Sequence, residues 1–195
     1  MPITFLYFAG YKAHTKIKMR RQHVLLIAIL LTLCTLSSCS LFDKMDDISF
    51  DTELPLEFVI DEQDNNSNGK DYSIVKTLDA TNDPEVMKYA NKIKEFKINK
   101  ITYSISAVTP NGVTFSNGKL IVSSSNRTIA LANNISIASV TNVELTADAG
   151  GFNELASMLL ANKQADVKLD GRFNSTPIKF TVSCKFYVTV TANTL

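Results

Sequence analysis

The chain has 195 residues and a formal net charge of +1, from 20 basic and 19 acidic side chains. It contains three cysteines, two histidines and no tryptophan. Its charges form no basic stripe, which argues against nucleic acid as a partner.

An apolar segment near the start of the chain has the features of an export signal. Residues 19–40 read MRRQHVLLIAILLTLCTLSSCS, so two arginines precede an apolar run that ends before Ser37. A positive region, an apolar region and a small-residue cleavage site characterise secretory signal peptides. The apolar run has about 13 residues, whereas about 20 are needed to span a bilayer. Its length therefore favours a cleaved signal peptide over a transmembrane anchor.

The end of this segment, Leu36-Ser37-Ser38-Cys39, resembles the lipobox of bacterial lipoproteins. The resemblance implies cleavage before Cys39 and acylation of its thiol, with palmitate for example, and of its new amino group. It thus implies a lipid anchor in the bacterial cell envelope. Serine at position 40, in place of aspartate, favours the outer membrane, and the side of that membrane is left open.

These features divide the chain into a signal peptide (1–38), a lipidated tether (39–47) and a domain (48–195). A signal peptide that starts at Met19 has the normal form. Residues 1–18 are therefore either a long positive region or lie before the true start.

Removal of residues 1–38 changes the chemistry that is available to the chain. It takes away five basic residues and no acidic residue, which leaves 15 basic and 19 acidic residues, and it removes both histidines. Histidine-activated nucleophiles and histidine-ligated zinc sites are then excluded. Cys184 is the only cysteine after Cys39, so no disulfide is expected within the domain.

Short apolar runs separated by Asn, Gly, Pro and Asp predict β-strands through most of the domain. These runs cover residues 48–60, 71–78, 97–108, 113–116, 119–123, 166–173 and 178–190. Pro55 makes the first run an edge or bulged strand. Every second residue of the last run is apolar, which predicts one buried face and a buried, unreactive Cys184.

Two hairpins are expected from these runs. Asn117-Gly118 is the dipeptide most typical of a type I′ hairpin turn, because both residues tolerate positive φ. The run 166–173 is expected to pair with the run 178–190 across residues 174–177.

Two segments have helical patterns. Asn82-Asp83-Pro84-Glu85 supplies a cap and a proline for a first turn, and apolar residues then follow at spacings of three and four. They are Val86, Tyr89, Ile93 and Phe96. This pattern predicts an amphipathic helix of about three turns, whose face with Lys88 and Lys92 suits solvent better than lipid headgroups. A second helix is predicted over residues 152–161.

Seven to nine short strands and two short helices predict a mostly β chain. We expect a single β-sandwich, immunoglobulin-like or with a related Greek-key arrangement, over residues 48–195.

One loop is a candidate metal site. Asp64, Asn66 and Asn68 alternate and Gly69 follows, which resembles the first half of a calcium-binding loop. The twelfth position of that loop is Val75 in place of a bidentate glutamate, so a polar hairpin loop is the alternative.

Carboxylate-based catalysis has little support in the sequence. Asp166 and Asp170 share a strand face, but four residues of strand separate them by about 13 Å, whereas glycosidase pairs need about 5 to 9.5 Å. We therefore expect no enzymatic activity and no cofactor beyond the lipid, with calcium at Asp64, Asn66 and Asn68 as the less favoured alternative.

The sequence leaves two function hypotheses. The first is a membrane-anchored, non-catalytic binding module for a glycan, peptide or lipid, with Tyr72, Tyr103 and Tyr187 as candidate contacts. The alternative is a structural or accessory lipoprotein subunit that docks on an envelope assembly through an exposed strand edge.

Overall fold

The computed structural model describes residues 46–109 and 112–194. Residues 46–195 form a compact unit of their own. The predicted signal peptide, the lipidation site Cys39 and most of the tether lie outside the described residues.

The described residues form ten β-strands, two α-helices and one 3-10 helix. The strands are β1 (Asp47–Asn66), β2 (Lys70–Asp79), β3 (Ile93–Thr109), β4 (Thr114–Val122), β5 (Arg127–Ala132), β6 (Ile135–Ser136), β7 (Val140–Glu144), β8 (Thr146–Ala147), β9 (Gln164–Phe173) and β10 (Thr176–Asn193). The helices are the 3-10 turn (Ala80–Asn82), α1 (Pro84–Lys88) and α2 (Ala149–Asn162). The predicted mostly β composition with two helices is confirmed.

The strands build two antiparallel sheets that pack face to face, which confirms the predicted β-sandwich. The four-stranded sheet has the order β1-β10-β3-β7, and the six-stranded sheet has the order β2-β9-β4-β5-β8 with β6 paired to β4. β1 is an edge strand, the first of the two alternatives, edge or bulged, that Pro55 indicated. Pro55 lies opposite Lys185 of β10 within a register that is continuous from Asp47 to Glu62, because an edge position tolerates the missing N–H group.

The expected hairpin of 166–173 with 178–190 is wrong, because the chain changes sheets between these strands. β9 pairs with β2 and β4, while β10 pairs with β1 and β3. The β1–β2 connection changes sheets at the same place, where Asn66 pairs with Thr176 and Lys70 pairs with Phe173. We call this place the corner. Gly69 has a φ of +82° there, and a Cβ on it would collide with the Phe173 carbonyl oxygen.

The expected hairpin turn at Asn117-Gly118 is also wrong. β4 runs through both residues, and the register on β9 passes from Ser116 opposite Arg172 to Lys119 opposite Asp170. Two residues of β4 therefore face one residue of β9, which defines a β-bulge. Asn117 has a φ of +52°, so the conformation expected for a turn is used by the bulge instead.

The first helix is much shorter than predicted. Asp83 is its N-cap and accepts hydrogen bonds from the backbone N–H groups of Glu85 and Val86, but α1 ends after Lys88. Ile93 and Phe96 belong to β3, because pairing with β10 overrides their helical spacing. α2 (Ala149–Asn162) is longer than the predicted 152–161, and its C-cap residue Lys163 has a φ of +61°.

The core is one apolar cluster that joins both sheets and both helices. β10 alternates as predicted, with buried residues Ile178, Phe180, Val182, Cys184, Phe186, Val188 and Val190. Leu155 and Leu159 of α2 pack into the same cluster. Cys184 is only 2% exposed, and burial raises the pKa of its thiol to about 12. It is the small buried hydrophobe that the strand pattern predicted.

Candidate functional site

A depression of about 410 Å³ lies where β1, β10 and β3 run side by side on the outer face of the four-stranded sheet. Its lining includes Asp51, Thr52, Glu53, Asn99, Lys100 and Tyr187. Small-molecule sites usually measure about 300–1,000 Å³, so the depression has the size of a ligand site.

A bulge in β3 shapes this depression. Tyr187 of β10 lies opposite Lys100, but the next residue, Val188, lies opposite Ile98, so Asn99 is an extra residue. Asn99 and Lys100 are both exposed as a result. Bulges often occur beside functional sites, where they redirect side chains.

Hydrogen bonds hold the polar side chains of the depression in place. The Asn99 Nδ2 donates to Thr189 Oγ1 (2.9 Å), and Thr189 Oγ1 donates to Asp51 Oδ1 (2.6 Å). Glu53 forms an ion pair with Lys185 (2.8 Å), and this hydrogen bond raises the pKa of the Lys185 ammonium group. The strands therefore present a preformed row of donors and acceptors.

Tyr187 supplies the aromatic surface of the site. The Lys100 ammonium nitrogen lies 4.6 Å from the centroid of its ring, in a cation–π contact. Because exposed contacts of this kind contribute only about 0.5–1 kcal/mol, a ligand can displace the lysine from the ring. The site combines one aromatic face with fixed polar groups around it.

Tyr187 is the only one of the three predicted tyrosines that lines this depression. Tyr103 points between the sheets with 9% of its surface exposed, and burial raises its pKa. The Tyr72 ring packs at a tilt against Phe173 with a centroid distance of 5.3 Å, and burial raises the pKa of Tyr72 as well. Tyr72 and Tyr103 are therefore packing residues.

The candidate calcium residues lie at the corner and already have partners within the protein. Asp64 and the neighbouring Glu62 both bind the Lys70 ammonium group, at 2.9 and 2.5 Å, and the Glu62 and Asp64 hydrogen bonds raise its pKa. The Asn66 side-chain oxygen accepts the backbone N–H of Asn68 (2.9 Å). No group of three or more His, Cys, Asp or Glu side chains among the described residues is arranged to hold a metal ion. A calcium ion would have to displace Lys70, and the site stays a prediction.

The other candidate carboxylates form cross-strand contacts. Asp166 accepts a hydrogen bond from Thr77 (2.7 Å), and Asp170 forms an ion pair with Lys119 (3.4 Å). Each partner lies on a strand next to β9, so both aspartates contribute to the pairing of the six-stranded sheet.

A small cavity lies between the two sheets. It measures about 30 Å³, and its apolar lining includes Tyr103, Phe115, Leu145, Phe180 and Cys184. This volume holds about two water-sized molecules, far less than a typical ligand occupies. We regard it as a packing defect.

Sequence reasoning identified Tyr187 but missed its neighbours in the depression. Asp51, Asn99 and Lys100 lie on strands that are far apart along the chain. One signal was present: Asn99 and Lys100 are two consecutive polar residues between Ile98 and Ile101, which interrupts strict alternation and indicates a bulge.

The helices and the comparisons with known proteins give the following results. No helix among the described residues has the length and hydropathy to cross a bilayer. No protein-family model matches the chain, and comparison with curated proteins and with solved structures likewise finds no match.

Proposed function

We propose that the protein is a lipid-anchored envelope lipoprotein that acts as a non-catalytic binding module. The observation that carries the binding role is the depression around Tyr187, whose size, aromatic face and fixed polar groups fit a ligand site. The lipobox-like Leu36-Ser37-Ser38-Cys39 carries the anchoring role.

The chemistry of the depression favours a polar ligand with one apolar face. The Tyr187 ring offers a stacking surface, while Asp51 and Asn99 offer an acceptor and an amide beside it. An oligosaccharide or an extended peptide has this character. A lipid chain lacks polar groups for these donors and acceptors, and the apolar cavity of about 30 Å³ between the sheets is too small to hold one.

Thermal-shift measurements on the mature chain, with panels of oligosaccharides and short peptides, test the binding role. A ligand at 100 times its Kd stabilises the folded state by about 2.7 kcal/mol, which raises the Tm of a domain of this size by about 5–11 °C. We expect Tyr187→Ala to abolish the shift. Thr181→Ala, on the same face of β10 but outside the depression, is the matched control. Shifts that survive Tyr187→Ala would assign binding to another site.

Mass spectrometry of the N-terminal peptide from native membranes tests the anchor. We expect a chain that begins at acylated Cys39, and we expect Cys39→Ala to release the protein from the membrane fraction. An unmodified Cys39 in membrane-bound protein would overturn this part of the proposal.

The second candidate is the accessory subunit, which the sheet edges favour. β1 and β2 each pair with one strand only, β10 and β9, so each has an edge that pairs with no other described strand. Such edges accept an added strand from a partner. Mild crosslinking in membranes, with Cys39→Ala as the unlipidated control, tests this role. A stoichiometric envelope protein that is lost in the control favours the accessory subunit over the free binding module.

A further inference from the structure

We infer that the mature protein stands on the bilayer with one end of the sandwich, here called the tether end, against the lipid headgroups. The tether end consists of Asp46 and the start of β1, the segment 87–97 and the exposed Leu160 of α2. This inference rests on the proposed lipid anchor at Cys39.

Direct contacts place segment 87–97 beside the point where the tether enters the domain. The Thr194 backbone N–H donates to the Asp46 carbonyl (2.8 Å), and the Lys92 ammonium group donates to the Thr194 carbonyl (3.4 Å). Lys94 forms an ion pair with Asp47 (2.7 Å). The segment after α1 therefore lies close to Asp46, with Thr194 or Asp47 as the connecting residue.

The length of the tether keeps this end close to the membrane. Six residues lie between Cys39 and Asp46, and the seven residue steps from Cys39 to Asp46 span at most about 25 Å when the chain is fully extended. The corner lies at the other end of β1, which contains 20 residues and follows about 65 Å of strand path. A lipid anchor on this tether therefore favours headgroup contact by the tether end and not by the corner.

The tether end has exposed side chains that suit an interface with lipid. Met87 is 61% exposed and Leu160 is 36% exposed. Leu160 lies beside Glu95 and Phe96, and Glu95 pairs with Thr191 near the end of β10. Large apolar side chains at this end gain from contact with the headgroup and acyl boundary.

Lysines at the same end suit anionic headgroups, although the helical pattern alone favoured solvent for Lys88 and Lys92. Segment 87–97 contains four lysines and one glutamate, although the mature chain as a whole is acidic. Lys88, Lys92 and Lys97 are exposed and form no ion pair with a described carboxylate, whereas Lys94 is neutralised by Asp47. Lysines close to an anionic surface are attracted to it by about 1 kcal/mol each, which is about fivefold per lysine.

A tryptophan-quenching experiment tests the orientation, because the natural chain has no tryptophan. The mature chain, residues 39–195, is coupled through Cys39 to a maleimide-bearing phospholipid in vesicles; the buried Cys184 is spared. Met87→Trp places the probe at the tether end, and Ser67→Trp places a matched exposed probe at the corner. The vesicles contain phosphatidylcholine with nitroxide-labelled headgroups, with or without phosphatidylglycerol.

We expect strong quenching of the Met87→Trp protein and little quenching of the Ser67→Trp protein. Phosphatidylglycerol should increase the quenching of the Met87→Trp protein and leave the quenching of the Ser67→Trp protein unchanged. Lys88→Gln with Lys92→Gln should then weaken headgroup contact by up to about 30-fold on anionic vesicles. Lys76→Gln with Lys168→Gln, which removes two lysines that also lack a carboxylate partner, is the charge-matched control.

Equal quenching of both probes, or no quenching of Met87→Trp on either vesicle, would overturn the inference. An equal effect of the two lysine pairs would overturn the contact with anionic lipid. If Met87→Trp does not fold by circular dichroism, Leu160→Trp replaces it with the same expectations. The maleimide link imposes the anchor, so these outcomes do not depend on natural acylation, which mass spectrometry of Cys39 tests separately.

Discussion

Among single residues, the buried Cys184 makes the stability of the folded protein depend on pH. Its thiol has an ordinary pKa of 9.0, and burial raises this pKa to about 12 in the folded protein. Above pH 9 the unfolded chain releases the proton while the folded chain keeps it. The stabilising contribution of the neutral thiol is therefore complete below pH 9 and declines as pH rises toward 12.

We predict that the stability difference between the natural protein and Cys184→Ala narrows above pH 9. This difference in the free energy of unfolding falls by at most about 1.4 kcal/mol per pH unit, which is the free-energy equivalent of one pKa unit. Urea denaturation of both proteins at pH 7, 9 and 10 measures the difference. The alanine variant controls for tyrosines and lysines that titrate in the same range. A difference that stays constant with pH would contradict the raised pKa.

Thr102 is a buried polar residue without a hydrogen-bond partner for its hydroxyl among the described residues. It is 5% exposed and lies between Lys185 of β10 and Glu144 of β7. We predict that Thr102→Val raises the free energy of unfolding by about 1 kcal/mol, because the isosteric methyl group has no desolvation cost. Thr181→Val, on the same face but half-exposed, should change stability by less than about 0.5 kcal/mol. Urea denaturation measures both, and a destabilised Thr102→Val would point to a bound water at this hydroxyl.

At the scale of secondary-structure elements, the first turn of α2 shows how packing overrides helix propensity. Asp148 is the N-cap, and the hydrogen bond from the Gly151 N–H, together with Arg127, lowers the pKa of its carboxyl group. Two glycines follow it, and their surroundings differ. The atoms nearest to a Cβ on Gly150 would be those of the exposed Arg127 guanidinium group, whereas the nearest to one on Gly151 would be backbone atoms of Thr128 and Ile129.

We predict opposite effects of alanine at these two glycines. Gly150→Ala should stabilise the protein by up to about 1 kcal/mol, because alanine favours helix and Arg127 can move aside. Gly151→Ala should destabilise it by about 1–3 kcal/mol, because the backbone of β5 must shift. Thermal denaturation of the matched pair measures both effects. Two variants of equal stability would show that α2 does not pack closely on β5.

Local sequence patterns predicted the boundaries of an element only where no other strand competed to pair with the same residues. The alternation of β10 predicted that strand well, and the cap at Asp83 predicted where α1 begins, because those patterns involve residues a few positions apart. Tyr89 to Phe96 has helical spacing, but β3 gains a ladder with β10 along its length, which a short helix cannot match. Asn117-Gly118 likewise allows positive φ, which suits a bulge as well as a turn.

At the scale of the whole molecule, one apolar cluster joins the inner faces of both sheets to the two helices. The β1–β10 ladder passes into the β2–β9 ladder at the corner, so neither sheet is independent of the other. Few parts of the described chain could therefore unfold without exposing this cluster.

We predict a single cooperative unfolding transition for the mature chain, because both sheets bury the same core. Tyrosine fluorescence and far-ultraviolet circular dichroism should give coincident urea curves. The fluorescence of Tyr103 reports on the core and that of Tyr187 on the outer face. Tyr187→Phe therefore provides a control in which the fluorescence of Tyr187 is removed. Two separated transitions would show that the sheets unfold independently.

Local sequence patterns were sufficient to predict the mostly β architecture, an edge or bulged position for β1, the burial of Cys184 and the existence of both helices. Each of these depends on alternation, capping or proline placement within a few residues. Tertiary structure alone decided which strands pair, where the chain changes sheets and how Glu53, Tyr187 and Lys100 come to lie in one row. Strand pairing is a competition among segments that are far apart along the chain, as in the ladder that pairs Asp47 with Asn193. Local periodicity records which face of a strand is buried, but it does not record which neighbour that strand will have.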